Sequence, residues 1–291
     1  MTMTRPLSVV LGNYPHTQFI KSAAGLASAR FSFPDVAPVH TAFDDMVRTQ
    51  RYDVCEIALA TFLQARQAGK PLLLLPAVMV GNFHHANIVR APLGPPLGPE
   101  ALAGHRVGVR AYSTTMGLWA RQLLTEEHGL DSADVTWVTT EGPHVAEAGE
   151  PDNVVRTEKP LRDALLAGEL SAAILSAKEN PDLTPVIADP AASSRGWFER
   201  HRTVPINHLV AVTESLVEQA PDVVAAVYAA LTTGIDHAVR SAPTDPTNGL
   251  PTAIRYGRDN VRTAIEIAAE AAREQQLIAY PLSNVDDLFA L

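Results

Sequence analysis

Arg106-Val107-Gly108-Val109-Arg110, then Ser113–Glu127, then Val135-Thr136-Trp137-Val138-Thr139 is the stretch that decides the fold. The first segment is a short apolar strand, the second carries a helical pattern, and the third is strand-like again. A strand, helix and strand in close succession argue for an α/β architecture with a mainly parallel sheet. The same alternation runs N-terminal to it. Leu7–Leu11, Val54–Ala58 and Pro71–Val80 predict strands, with helices expected over His40–Gln50 and Thr61–Ala68. C-terminal to it, Lys159–Ala167 predicts a helix and Ala172–Leu175 a strand. Asp182–Trp197, with Pro181, Pro185 and Pro190 in or beside it, predicts irregular chain. Val204-Pro205-Ile206-Asn207-His208 leads into a strand at Leu209–Val212. The remainder is helical, over Ser215–Val239 with Pro221 in a first turn, and again where Val261, Ala264, Ile265, Ala268 and Ala271 recur at helical spacing. Asn284-Val285-Asp286-Asp287 has the cap residue and acidic first turn of a further helical start.

Ala91-Pro92-Leu93-Gly94-Pro95-Pro96-Leu97-Gly98-Pro99 breaks the composition and predicts a connection between two units. The expected organisation is a first lobe over 1–95, a second over 96–204, and a return to the first lobe with C-terminal helices over 205–291. In such a chain strand ends and helix N-termini converge on a ligand cleft between the lobes.

The chain has 291 residues, of which 46% are hydrophobic, enough for a sizeable core or two smaller ones. Lys and Arg total 23 against 32 Asp and Glu, a formal charge of −9 that argues against nucleic-acid binding. No apolar run approaches the roughly 18 residues that span a bilayer, and Leu7–Leu11 is too short for a secretory signal. The expectation is a cytoplasmic protein without a membrane partner. Cys55 is the single cysteine, which excludes an internal disulfide, and its apolar neighbours suggest a small core residue.

Several residues carry candidate chemistry. Ser113-Thr114-Thr115 opens a helix, where hydroxyls and free N–H groups suit an anion, with Arg110 adding a charge; the plainer reading is a helix cap. Phe83-His84-His85 follows the apolar strand, and one of its histidines is a candidate acid or base. On spacing alone, a buried, hydrogen-bonded histidine is the commoner outcome. His208 lies where the chain recrosses, as a hinge residue or a functional one. Glu56, His85 and His208 have the residue types of a metal triad but match no helical ligand spacing. No G-x-S-x-G elbow, G-x-G-x-x-G fingerprint or Walker A motif is present, so neither serine hydrolysis nor a nucleotide cofactor is expected.

In order along the chain, these pieces resemble the 4,5-dihydroxyphthalate decarboxylase family. Tyr14-Pro15-His16-Thr17 resembles its Y-D-R-T. Phe43, Met46 and Tyr52-Asp53-Val54-Cys55-Glu56-Ile57 resemble its F-x-x-M and Y-D-V/I-S/C-E-L/M segments, and Pro76 to His85 its I-P-x-F-x-x-R-x-F-R-H. Arg106-Val107-Gly108-Val109, Tyr112, Thr115, Trp119 and Arg121 resemble R-V-G-V-P-E-Y-x-x-T-x-x-x-W-x-R. Pro205-Ile206-Asn207-His208 is similar to P-I-M-H, and Tyr256-Gly257, Asn260, Glu274-Gln275-Gln276-Leu277 and Leu288-Phe289 to the family's ending.

The resemblance implies a two-lobed type 2 periplasmic-binding-protein-like fold used as a cofactor-free carboxy-lyase. It implies His85 as general acid, His208 as acid, base or orienting group, and Glu56 as base or histidine partner. Tyr14, His16, Thr17 and His84 are the implied substrate contacts from the early motifs, with Asn207 beside His208. Arg110, Tyr112, Ser113, Thr114, Thr115 and Trp119 are those of the later motif. The family pattern has arginine where this chain has His16, Gly81 and His84, which points to an altered acid, with one carboxylate rather than two. The alternatives are a lyase other than a decarboxylase acting on a cyclic acid, a metal-assisted decarboxylase, and a cytoplasmic small-molecule binding or sensor protein. Chains of this size and class often form homodimers, and no residue here marks an interface.

Overall fold

The computed structural model describes residues 5–22, 26, 30–93, 97–242, 244 and 249–291. The chain divides into two compact units. The first comprises 1–82, 203–269 and 280–291, and the second 83–202 and 270–279.

The first unit is built on strands β1 (Leu7–Val10), β2 (Phe31–Ser32), β3 (Val54–Ala58) and β4 (Leu72–Gly81), with helices α1 (Pro15–Gln18), α2 (Ala42–Thr49) and α3 (Leu59–Gln67) between them. The second unit carries β5 (Ile88–Arg90), β6 (Arg106–Val109), α4 (Thr115–His128), β7 (Thr136–Thr139), β8 (Val154–Arg156), α5 (Leu161–Leu166), β9 (Ala172–Ile174), β10 (Thr184–Pro185) and α6 (Pro190–His201). The chain then re-enters the first unit with β11 (Ile206–Thr213), α7 (Glu214–Gln219), α8 (Pro221–Ser241) and α9 (Arg258–Glu274), whose last turn falls in the second unit.

Both sheets are mixed rather than mainly parallel. The first has the order β2-β1-β3-β11-β4, with β1 parallel to β2 and β3. The returning β11 inserts between β3 and β4 and runs antiparallel to both, which prevents the β3-α3-β4 crossover from closing as a parallel pair. The second has the order β10-β5-β9-β6-β7-β8, with β6, β7, β8 and β9 in parallel pairings and the β5 edge antiparallel. Every residue of β3 is buried, as expected for a strand covered on both faces. Leu75, Ala77 and Met79 of β4 pack with Val210 and Val212 of β11 and with Val224, Val227 and Leu231 of α8. Gly234 of α8 admits close approach to α1, because a β-carbon there would collide with the His16 carbonyl oxygen.

Three expectations are corrected. The first crossing between units falls after Asn82, not at residue 95, because β5 pairs with β9 and so belongs to the second unit. The Pro- and Gly-rich stretch therefore lies within that unit; its residues 94–96 are outside the described ones. The segment read as irregular ends in helix α6. Pro190 occupies the first turn, where its missing N–H costs nothing, and Asp189 caps the helix by accepting the Ala192 N–H at 2.9 Å. Asn284 does cap the final turn, a 3-10 turn over Val285–Leu288, through the Asp286 N–H at 3.0 Å. Among the described residues no helix is long and apolar enough to cross a membrane.

Candidate active site

Glu56 lies at the centre of β3 and is wholly buried. A carboxylate there needs donors to offset its lost hydration. The fold supplies three. The Gly12 backbone N–H, just beyond the end of β1, donates to Oε2 at 2.8 Å, and the Tyr14 hydroxyl donates to Oε1 at 2.9 Å. His208 Nδ1 stands 2.7 Å from the same Oε1. Register explains this last contact. Val210 of β11 pairs with Glu56, so His208, two residues earlier, points to the same face as the carboxylate. Against a carboxylate acceptor Nδ1 is the donor, which leaves Nε2 as the ring nitrogen outside that pair. The His208 side chain is 21% exposed, and Phe43 of α2 holds the ring edge-on at 5.2 Å. Three donors thus engage the Glu56 carboxylate.

The loop between β1 and α1 is fixed by its own side chains. A β-carbon at Gly12 would stand only 2.4–2.5 Å from the outer atoms of the Tyr14 phenol, so glycine is what lets that ring cross the loop toward Glu56. Thr17 donates to the Gly12 carbonyl at 2.6 Å and accepts the Tyr14 N–H at 2.9 Å. Lys21 donates to the Leu11 carbonyl and the Asn13 Oδ1, each at 2.7 Å. Burial, then the Glu56 charge, pushes the Tyr14 phenol well above the ordinary tyrosine range, so it remains a donor. His16 stacks parallel on Tyr14, with ring centroids 5.1 Å apart, and burial holds its pKa below the usual histidine value. The register of β4 against β11 shifts opposite His208–Val210, where residues 76–79 bond instead to the 255–257 loop: Val78 N–H to the Arg255 carbonyl and Gly257 N–H to the Pro76 carbonyl. Such a bulge re-aims the groups around it. Gly81 has no room for any side chain, because a β-carbon would sit 2.5 Å from the Pro205 carbonyl oxygen. Asn207 is buried beside His208.

The second unit holds the other sequence-derived candidates. His85 opens a 3-10 turn and is fully buried, with Nδ1 3.1 Å from the Ser194 hydroxyl and Nε2 3.2 Å from Glu127 Oε2. Burial raises the Glu127 carboxyl, but His85 and Arg200 outweigh it and hold the group below its usual range. His84 is buried, and its Nδ1 accepts the Asn87 side-chain N–H at 3.1 Å. Thr114 caps α4 by accepting the Gly117 N–H at 3.2 Å, and Ser113 accepts the His144 N–H at 3.3 Å. Thr115 is buried in the first turn. Arg110 is paired with Glu141 at 2.8 Å on the surface, so its charge is already matched. Tyr112 and Trp119 are core residues, the one donating to the Gln275 carbonyl at 3.1 Å and the other edge-on to Trp197. Arg121, named in the motif but not as a site residue, is buried over the Tyr112 ring at 3.9 Å and donates to Gln275 Oε1 at 2.7 Å.

The structure thus joins Tyr14, His16, Thr17, Glu56 and His208 in the first unit, while His85 has a carboxylate partner of its own in the second. Sequence reasoning missed Gly12 and Lys21, although a glycine directly after a strand signals a special backbone approach. It also missed Glu127 and Ser194, for which no sequence signal exists. Among the described residues no three His, Cys, Asp or Glu side chains are grouped so as to hold a metal ion.

No family model matches the chain. Its fold is that of the periplasmic binding proteins: the aliphatic sulphonate-binding protein SsuA of Escherichia coli is similar over 98% of this chain and 92% of its own, with a TM-score of 0.62 at 14% identity. The sequence relatives are more particular. The chain is 29% identical over 238 residues to 4,5-dihydroxyphthalate decarboxylase of Comamonas testosteroni, covering 74% of this chain and 70% of that one. It is 26% identical over 215 residues to the enzyme of the same name from Pseudomonas putida, covering 66% and 81%. The fold and the resemblance read from the motifs are both borne out.

Proposed function

We propose that this chain is a carboxy-lyase that decarboxylates a hydroxylated aromatic or related cyclic acid, with His208 as the group that moves the proton. The observation that carries the reading is the Glu56–His208 pair, whose 2.7 Å bond occupies Nδ1 and leaves Nε2 for chemistry. The two relatives named as decarboxylases support the reaction class.

A hydroxyl para to the carboxylate lets the ring take a proton at the carboxylate-bearing carbon: the phenol releases its own proton to solvent as the ring is protonated, giving a dienone-like intermediate, and the phenolate left after CO2 loss takes one back. The carbon–carboxylate bond then breaks, its electron pair restores the aromatic ring, and CO2 leaves. One proton is consumed per turnover. In this reading His208 Nε2 delivers it and is recharged from solvent, while the buried Glu56 stabilises the imidazolium form in between. No step requires a cofactor. His85, with both ring nitrogens facing partners in the second unit, serves the architecture there.

The test is product analysis. Purified protein is incubated with 4,5-dihydroxyphthalate and a panel of mono- and dicarboxylated hydroxyaromatic acids, and CO2 is measured. Release from a panel member that His208→Gln abolishes supports the reading. Tight binding of one acid that is recovered unchanged favours instead a binding protein, the role carried by the SsuA neighbour.

A further inference from the structure

The two oxygens of the buried Glu56 carboxylate are not engaged alike. Oε2 accepts the Gly12 backbone N–H at 2.8 Å. Oε1 accepts two donors, the Tyr14 hydroxyl at 2.9 Å and His208 Nδ1 at 2.7 Å. Sharing one oxygen couples the phenol to the imidazole. A hydroxyl binds a full negative charge more strongly than one already matched by an imidazolium, so the Tyr14 bond is stronger while His208 is neutral. Such coupling is reciprocal: what protonation of His208 takes from the Tyr14 bond, the Tyr14 bond takes from the hold on that proton. Burial and the Glu56 charge keep the phenol protonated, so it stays a donor throughout. An imidazolium facing a buried carboxylate without such competition is held too tightly to be an efficient acid.

The other groups around the pair leave this balance to Tyr14. Against the His208 ring α2 presents Phe43, and the cross-strand neighbours Ala58 and Val80 are apolar. The α2 carboxylates Asp44 and Asp45 pair with Arg48 and Arg51, and Arg66 of α3 pairs with Glu214 of α7. The Glu56 charge also acts on His16, Lys21 and Cys55. Burial lowers the His16 pKa and raises that of the Cys55 thiol, which leaves both uncharged at neutral pH. The Lys21 ammonium is engaged by the Leu11 and Gly12 carbonyls and by Asn13 Oδ1.

We propose that Tyr14 is a positioning residue that tunes the His208 acid: by sharing Glu56 Oε1, its hydroxyl weakens the carboxylate's hold on the imidazolium and makes Nε2 the readier proton donor. The proposal rests on the function given above and assigns one residue's part in it.

NMR titration of the full chain tests this. The His208 Cε1–H resonance is assigned by its loss in His208→Gln. Its midpoint is then compared between the wild type and Tyr14→Phe, which keeps the ring that stacks on His16. The midpoint is expected to rise by about 0.5–1 pH unit in the variant, a fraction of one hydrogen bond to a charged oxygen. The alkaline limb of CO2 release should move up with it, because only the protonated ring delivers. The rate on the plateau should fall by about threefold, since a weaker acid donates more slowly. A Tyr14 that merely braces the loop would alter stability and leave midpoint and limb in place. That result, a lowered midpoint or a ring that does not titrate overturns the proposal. Site-specific replacement of Tyr14 by 3-fluorotyrosine answers the same question should the phenylalanine variant not fold. A more acidic phenol of nearly the same size is a stronger donor, so the midpoint should fall, and an unmoved or raised one overturns the proposal. The two readings fail separately. A Tyr14-dependent midpoint without CO2 from any acid sinks the decarboxylase reading alone, and CO2 release with an unmoved midpoint sinks this one alone.

Discussion

His208 Nδ1 lies 2.7 Å from Glu56 Oε1, although 152 residues separate the two in the chain. The contact is a product of strand register: a shift of β11 by one residue would turn His208 to the other face of the sheet. The insertion of β11 between β3 and β4 is thus what creates the pair. It also makes the pair sensitive to any change in how the chain returns from the second unit.

Glu56→Gln tests the division of labour between the two. A glutamine keeps one oxygen acceptor but removes the charge that stabilises an imidazolium. CO2 release should fall by about 10²-fold or more, in the range of lost acid–base assistance, with KM changed far less. Equal losses in kcat for Glu56→Gln and the double variant with His208→Gln would show that the residues act as one unit.

Tyr14 makes a prediction at alkaline pH. Its folded pKa is raised above the unfolded value of 10.0, by burial first and by Glu56 second. Above pH 10 the unfolded chain then releases a proton that the folded one retains, so stability should decline as pH rises beyond that point. Below it the contribution is fully present. Urea unfolding from pH 9 to 11 should show the decline in the wild type and a shallower one in Tyr14→Phe. A parallel decline in both would remove Tyr14 as its source.

Much of this was legible in the sequence, for physical reasons that differ by element. Strand β3 reads easily because burial on both faces forces a continuous apolar run, and Glu56 stands out as the interruption. His208 was marked by its place after Pro205, at the recrossing. Helix α6 was lost because three prolines outweighed the Asp189-Pro190 start signal, which tolerates proline only at that position. The unit boundary was lost because proline and glycine mark a loop without telling which sheet the following strand joins. The partners of His85 were illegible in principle. Nothing distinguishes Glu127 from its neighbour Glu126 until α6 brings Arg200 beside both and Ser194 against His85.

Gly12→Ala probes the loop that feeds the carboxylate. Its β-carbon cannot coexist with the Tyr14 ring where it now lies. The ring must leave, taking one donor from Glu56, so a cost of about 1–3 kcal/mol is expected from chemical denaturation. Combining the change with Tyr14→Phe should add little to the loss caused by Gly12→Ala alone, since both remove the same hydrogen bond. Full additivity would show that the two residues act independently.

Glu127→Gln should destabilise the protein without touching the Glu56 site. The side chain is 11% exposed and faces the fully buried His85 at 3.2 Å. Removing its charge takes the carboxylate partner from the buried His85 ring and one of two carboxylates from Arg200, which keeps Glu126, so a loss of about 1–3 kcal/mol is expected. The sign with pH follows from the carboxyl's lowered folded pKa. Its contribution is present above the unfolded value of 4.5 and is lost as pH falls through the folded one. The wild type should therefore lose stability between pH 5 and pH 3 more steeply than the variant. Turnover per folded molecule, measured well below the melting temperature, should be the same in both. A turnover loss as large as that of His208→Gln, in a variant that remains folded, would return His85 and its carboxylate to the chemistry.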